Sequence, residues 1–162
     1  MKKNFFLVAL IFLLFSNTSC TGYKPIFNSS NLKFKIVDST LKGDLRLGKQ
    51  LNTKFLDAGK LNKDNQEATS VEIIINMEKE KVATIKNSTG KITEYKIILN
   101  TNIILNDYLN SKELLNQTFN YDSHYNVQDQ HSETVKLENK IIKDLIDKTY
   151  QDSLIKISEF FN

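Results

Sequence analysis

The chain of 162 residues has a single cysteine, Cys20, so no internal disulfide can brace it. An exported protein with a lone thiol must pair it with another chain or modify it. There is one proline, Pro25, and no internal repeat, so the sequence offers no second linker at which to divide the body. Long apolar runs are scarce. Phe5 to Phe15 spans eleven residues, whereas a membrane-crossing helix needs roughly 20. An excess of one charge is missing too: without Lys2 and Lys3 the 22 basic residues fall to 20, against 19 acidic ones, a net charge of +1. Nucleic-acid binding loses its usual basic footprint at that balance.

Catalytic equipment is equally thin. The sequence has no phosphate-cradling glycine loop, no spare thiol and no Ser/His/Asp spacing of note. The only two histidines fall in the group Asp122, His124, Asp129 and His131, whose imidazole and carboxylate donors suit zinc and related ions. A strand reaching Val127 puts His124 on its outer face and His131 in the next helix, so convergence is not expected. The reading is therefore no enzyme, no metal site and solvated surface histidines.

What is present begins at the amino terminus. Lys2 and Lys3, the apolar run and the small polar residues Ser16 to Ser19 have the layout of a secretory signal, expected to be removed as residues 1–19. The remaining 143 residues suit one compact domain. Basic residues, an apolar run and small residues directly before a cysteine resemble the lipobox of bacterial lipoproteins, with Thr18 and Ser19 at its small positions. That resemblance implies that Cys20 receives an S-diacylglyceryl group and, after cleavage, an N-acyl chain. These lipids are the only cofactor expected. Each buried acyl CH₂ adds about 0.8 kcal/mol of membrane affinity, so two or three chains anchor firmly. The alternative is an ordinary signal cut elsewhere with Cys20 left as a thiol, although Asn17-x-Ser19 is a poor copy of the Ala-x-Ala such cleavage prefers. Residues 20–31 then form a tether.

Beyond the tether the hydrophobic period specifies the elements. Leu32, Phe34 and Ile36 alternate with lysines as a half-buried strand. Asp38, Ser39 and Thr40 are candidate helix caps, and Leu47, Leu51 and Phe55 mark one face of a helix closing near Gly59. A polar connection, Leu61 to Ala68, follows. Val71, Ile73, Ile75 and Met77 share a strand face, and beyond a turn at Asn87 to Gly90 so do Tyr95, Ile97, Leu99, Thr101, Ile103 and Leu105. A second turn, Asn106 to Ser111, leads to Leu115, Phe119, Tyr121, Tyr125 and Val127, so the three strands read as an antiparallel meander. From Asp129 to Phe161 the period returns to three and four, predicting a long helix capped by Asp129 or Ser132. The expected fold for residues 32–162 is an α+β two-layer sandwich in the order β-α-β-β-β-α: a four-stranded, mostly antiparallel sheet with both helices on one face and the other face wet. Lys81, Lys86 and Lys91 cluster along the predicted hairpin, where lysines could meet phosphates as point charges. A solvated lysine-rich surface offset by Glu78, Glu80 and Glu94 is the alternative.

Two stretches carry a closer likeness. Cys20-Thr21-Gly22-Tyr23-Lys24-Pro25-Ile26-Phe27 resembles the start of the lipopolysaccharide-assembly lipoprotein LptE family, and Tyr125-Asn126-Val127-Gln128-Asp129 before a long helix is similar to that family's last strand and helix. The resemblance implies a non-enzymatic outer-membrane lipoprotein that sits in the lumen of the LptD barrel on the periplasmic side. There it would assist the barrel's assembly and the delivery of lipopolysaccharide to the outer leaflet. The implied partners are that barrel, lipopolysaccharide and the outer membrane. Lipopolysaccharide contact by Lys81, Lys86 and Lys91 is our own expectation, since no family motif marks them. The alternative is an auxiliary lipoprotein of another envelope lipid-transport complex of the ABC type.

Overall fold

A computed structural model describes residues 33–60 and 68–161. The predicted signal, Cys20, the tether and most of the polar connection lie outside the described residues. The elements follow the expected order: β1 Phe34–Gly43, α1 Leu45–Lys60, β2 Thr69–Lys86, β3 Ile92–Asp107, β4 Glu113–Asn126 and α2 His131–Phe161. The strands form one sheet in the order β1-β2-β3-β4, with α1 packed over β1 and β2 and α2 over β3 and β4. This is the α+β two-layer arrangement the periodicity predicts.

The meander is antiparallel, but β1 pairs with β2 in parallel, so the sheet is mixed. The helical crossover through α1 explains the difference, because it returns the chain to the end of the sheet from which β1 started.

β1 also runs further than its alternation predicts. Asp38, Ser39 and Thr40 are strand residues paired with Glu72, Ile73 and Ile74, and a bulge between Ile36 and Asp38 shifts the pleat by one. Ser39 consequently faces inward, where its Oγ accepts a hydrogen bond from Asn52 Nδ2 at 3.0 Å. The helix cap is Asp44 instead, whose Oδ1 accepts the N–H groups of Arg46 and Leu47 at 3.1 Å each. Gly43 makes that turn possible: its φ is +72°, and a Cβ there would collide with the Met77 carbonyl oxygen. At the start of α2 the clamp is Thr134, which accepts the Gln128 N–H at 2.9 Å, and the helix begins between the two predicted caps.

The core lies between the layers. Val71, Ile73, Ile75, Met77, Ile97, Leu99, Ile103 and Leu105 are at most 1 % exposed and meet Leu47, Leu51 and Phe55 of α1 and Ile142, Ile146 and Ile157 of α2. Burying each such side chain supplies roughly 1.5–3 kcal/mol, which sets the sheet's inner face beyond doubt of register.

Candidate functional site

No element of the described chain covers the outer face of the sheet. The strand register builds it in cross-strand rows: Asn76 beside Asn102 and Thr118, then Glu78 beside Asn100 and Asn120, then Glu80 beside Ile98 and Asp122. Row by row the face is amide and carboxylate, with Ile98 and the Ile74–Ile104 pair as isolated aliphatic patches. Asn102 Nδ2 donates to Asn116 Oδ1 at 2.9 Å and to Thr118 Oγ1 at 3.1 Å, and Asn106 Nδ2 donates to Glu72 Oε2 at 3.2 Å. Each asparagine amide offers both donors and an acceptor. Such a face can match a polar partner surface by hydrogen bonding.

The three candidate lysines fall into two settings. Lys86 and Lys91 are exposed at the polar β2–β3 tip, where among the described residues neither ammonium has a carboxylate partner. Lys81 faces the helices. Its Nζ lies 2.6 Å from Glu138 Oε2 of α2 and sits 4.2 Å above the Tyr95 ring and 5.6 Å from that of Tyr125. Tyr125 donates its hydroxyl to the same carboxylate oxygen at 2.8 Å, and Lys79 Nζ approaches Oε1 at 3.8 Å. Burial pulls the Lys81 pKa down, but the bonds to Glu138 and Tyr125 outweigh it and hold it above the usual lysine value. Burial likewise opposes Glu138's charge, and Lys81, Tyr125 and Lys79 together keep its pKa below the usual carboxylate value. Lys81 therefore fastens α2 to the sheet while remaining partly exposed, and the lysines at the tip are the ones left without a carboxylate partner among the described residues.

Further along α2, Tyr121 of β4 donates to Asp152. Burial first, and then that carboxylate, push the Tyr121 pKa up to about 12.

His124 lies on the open face as expected, 3.0 Å from Glu94 Oε1 and 3.9 Å from Asp122 Oδ2, whereas Asp129 and His131 belong to the connection and first residue of α2. Among the described residues no group of three or more His, Cys, Asp or Glu is placed to hold a metal ion, and no helix is long and apolar enough to cross a membrane.

The sequence reading missed two features. The Glu138 cluster was signalled, since Lys79 and Lys81 continue the inward-facing phase of Val71, Ile73, Ile75 and Met77. The second is the β3–β4 tip, a turn whose outermost residues, Tyr108 and Leu109, are large and apolar.

No protein-family model matches the chain, and no curated protein matches it in sequence. Solved structures do share its fold. A solution structure of lipoprotein B from Nitrosomonas europaea, described as uncharacterized, superposes with a TM-score of 0.58 at 18 % identity, covering 87 % of this chain and 93 % of that one. A crystal structure of a chain assigned as a lipoprotein from Caulobacter crescentus gives 0.53 at 11 % identity, covering 78 % and 89 %. At these identities the likeness is one of fold.

Proposed function

We propose that the chain is a lipid-anchored lipoprotein of the outer membrane that acts as a partner and plug of a large β-barrel, in the manner of LptE within LptD. It makes and breaks no bonds. In this reading Cys20 carries the lipid, residues 20–31 tether the body on the periplasmic side, and the uncovered sheet face seats against the polar wall of the barrel lumen.

The observation that carries the reading is that open face. A two-layer fold leaves one side of its sheet to solvent or to a partner, and here that side holds rows of Asn, Glu and Asp. Barrel interiors are polar and bonded by many small contacts, so amide rows are suitable lining for a protein nested inside one. The lipid tail adds affinity by holding the body at high local concentration beside its partner. The extension of the fold over most of two structures described as lipoproteins supports the same direction, as does the Cys20–Phe27 string. In this reading Lys86 and Lys91, exposed at the tip of the longest hairpin, meet lipopolysaccharide phosphates, with Lys81 behind them bonded to Glu138.

Affinity purification of the full chain from detergent-solubilised outer membrane tests this. Recovery of a large barrel protein is the expected result. Recovery with an inner-membrane ABC complex and no barrel would replace the reading with the auxiliary-transporter one. Cys20→Ala is expected to move the protein from the membrane to the soluble fraction, and an unchanged distribution would remove the anchor.

A further inference from the structure

The molecule has two dissimilar ends. β3 alone, with 16 residues at roughly 3.3 Å each, separates them by about 50 Å. At one end the β2–β3 tip Asn87-Ser88-Thr89-Gly90 is polar, with the exposed Ile85 on the strand leading to it. At the other, three features converge. The described chain starts there, with Lys33 O accepting the Thr69 N–H; the β3–β4 tip is tied to the same place by Tyr108 N–H donating to Ser70 O at 3.0 Å. α2 ends there too, with Phe161 stacked on Phe34 at 5.7 Å and Phe160 edge-on to Phe161 at 5.1 Å.

This end exposes apolar side chains that nothing in the described chain covers: Leu109 is 88 % exposed, Tyr108 51 % and Phe160 48 %. Turn tips ordinarily carry Gly, Asn, Asp or Ser, because solvent is their only neighbour. The β3–β4 tip has those residues, but in supporting roles. Asp107 Oδ1 accepts the Leu109 and Asn110 N–H groups at 2.8 and 3.1 Å, and Asn110 Oδ1 accepts the Lys112 N–H at 2.9 Å. A turn fastened in this way holds Tyr108 and Leu109 outward and has little ordering entropy left to lose on contact. Exposed Lys33, Lys35 and Lys112 lie at the same end, with the exposed acids Glu113 next to the turn and Glu159 next to Phe160, the latter paired with Lys156.

We infer that the Tyr108–Leu109 tip, with Phe160 beside it at the same end, docks on a phospholipid surface and sets the body upright on the membrane. The inference rests on the anchoring part of the reading above and concerns the anchored chain before it engages a barrel. Thirteen residues separate Cys20 from Lys33, so this end can stray at most roughly 45 Å from the lipid attachment point, whereas the polar tip lies a further molecule's length away. An amphipathic tyrosine and an exposed leucine suit the headgroup and upper acyl region, and lysines around them suit anionic headgroups. Burying one such leucine multiplies the docked population by roughly tenfold or more.

The test uses the full lipidated chain, purified and reconstituted in phosphatidylethanolamine/phosphatidylglycerol vesicles without other protein. Ser111→Cys and Ser88→Cys each carry an environment-sensitive thiol fluorophore; Ser111 is exposed and its hydroxyl takes no part in bracing the turn. Expected are blue-shifted emission and quenching by spin-labelled lipid at 111, neither at 88, and loss of the shift by roughly tenfold in docked-to-undocked ratio when Leu109→Ser is added. One label per chain reports a lipidated Cys20. With one label, equal iodide accessibility at 111 and 88 would overturn the docking. Two labels per chain would overturn the anchor and the docking with it.

Discussion

Glu138 is the residue at which the two layers are most directly joined by charge, and replacing it tests whether Lys81 is structural. Glu138→Ala removes the carboxylate that accepts from Tyr125 and faces both Lys81 and Lys79, leaving two ammonium groups without that anion and a half-buried hydroxyl without an acceptor. A charge-assisted hydrogen bond is worth roughly 1.5–3 kcal/mol where solvent is excluded. Side-chain exposures of 18 % for Glu138 and 35 % for Lys81 reduce that by screening, so a total loss of about 2–3 kcal/mol is expected. For a body of this size each kcal/mol moves Tm by about 3–5 °C, giving a fall of about 6–15 °C by circular dichroism. Glu138→Gln, which can still accept from Tyr125, should lose about half as much. The pH dependence carries a sign. The Glu138 pKa is lowered from 4.5 in the folded state, so its contribution is present above pH 4.5 and lost as pH falls through the folded value. The Lys81 pKa is raised from 10.5, so its contribution is present below pH 10.5 and lost as pH rises through the folded value. The gap in stability between wild type and Glu138→Gln should therefore be widest between these limits and close in acid. A gap under about 0.5 kcal/mol at pH 7, the size of an ordinary surface substitution, or one that does not change down to pH 3 would refute the assignment.

Three further outcomes follow from single positions. Thr101 is fully buried and, among the described residues, its hydroxyl has no hydrogen-bond partner; Thr101→Val should stabilise the fold by about 1 kcal/mol, read from the urea midpoint at unchanged slope. Gly43→Ala combines a left-handed φ with a collision against the Met77 carbonyl, and should lose roughly 2–4 kcal/mol in the same assay. Asn100→Arg, at the exposed centre of the open face, should change stability by less than about 0.5 kcal/mol yet sharply reduce recovery of the barrel partner; undiminished recovery would separate the partner from this face.

Much of this architecture was legible because each element repeats one period long enough to outvote local noise. Val71 to Met77 and Tyr95 to Leu105 alternate apart from Ile74, Ile98 and Ile104, since only one side of their sheet is dry, and that asymmetry also announced the wet face. The parallel pairing of β1 was not legible. It is a contact between segments more than 30 residues apart, and nothing in Phe34 to Ile36 distinguishes a parallel neighbour from an antiparallel one. The bulge after Ile36 hid the continuation of that strand, because it shifts the alternation just where Asp38, Ser39 and Thr40 imitate a cap signal. The setting of Lys81 was only half legible. Its phase pointed inward, but its charge suggested solvent, and only the approach of Glu138 from a helix 57 residues later reconciles the two.

The topology also explains why the candidate surfaces lie where they do. A parallel β1 beginning beside the start of β2 fixes the tether side of the sheet at the end that holds the β3–β4 tip and the close of α2. The long β2–β3 hairpin must then point the other way, and the outer face runs between them. One connection, the crossover through α1, thus sorts the molecule along a single axis: apolar tip and chain start at one end, lysine-bearing polar tip at the other, amide rows in between. An antiparallel β1 over the same stretch of β2 would start beside Met77, part-way along the sheet, and the start of β1 would no longer share an end with the β3–β4 tip. The parallel crossover is therefore the feature on which the proposed anchoring geometry and the proposed docking of the tip depend.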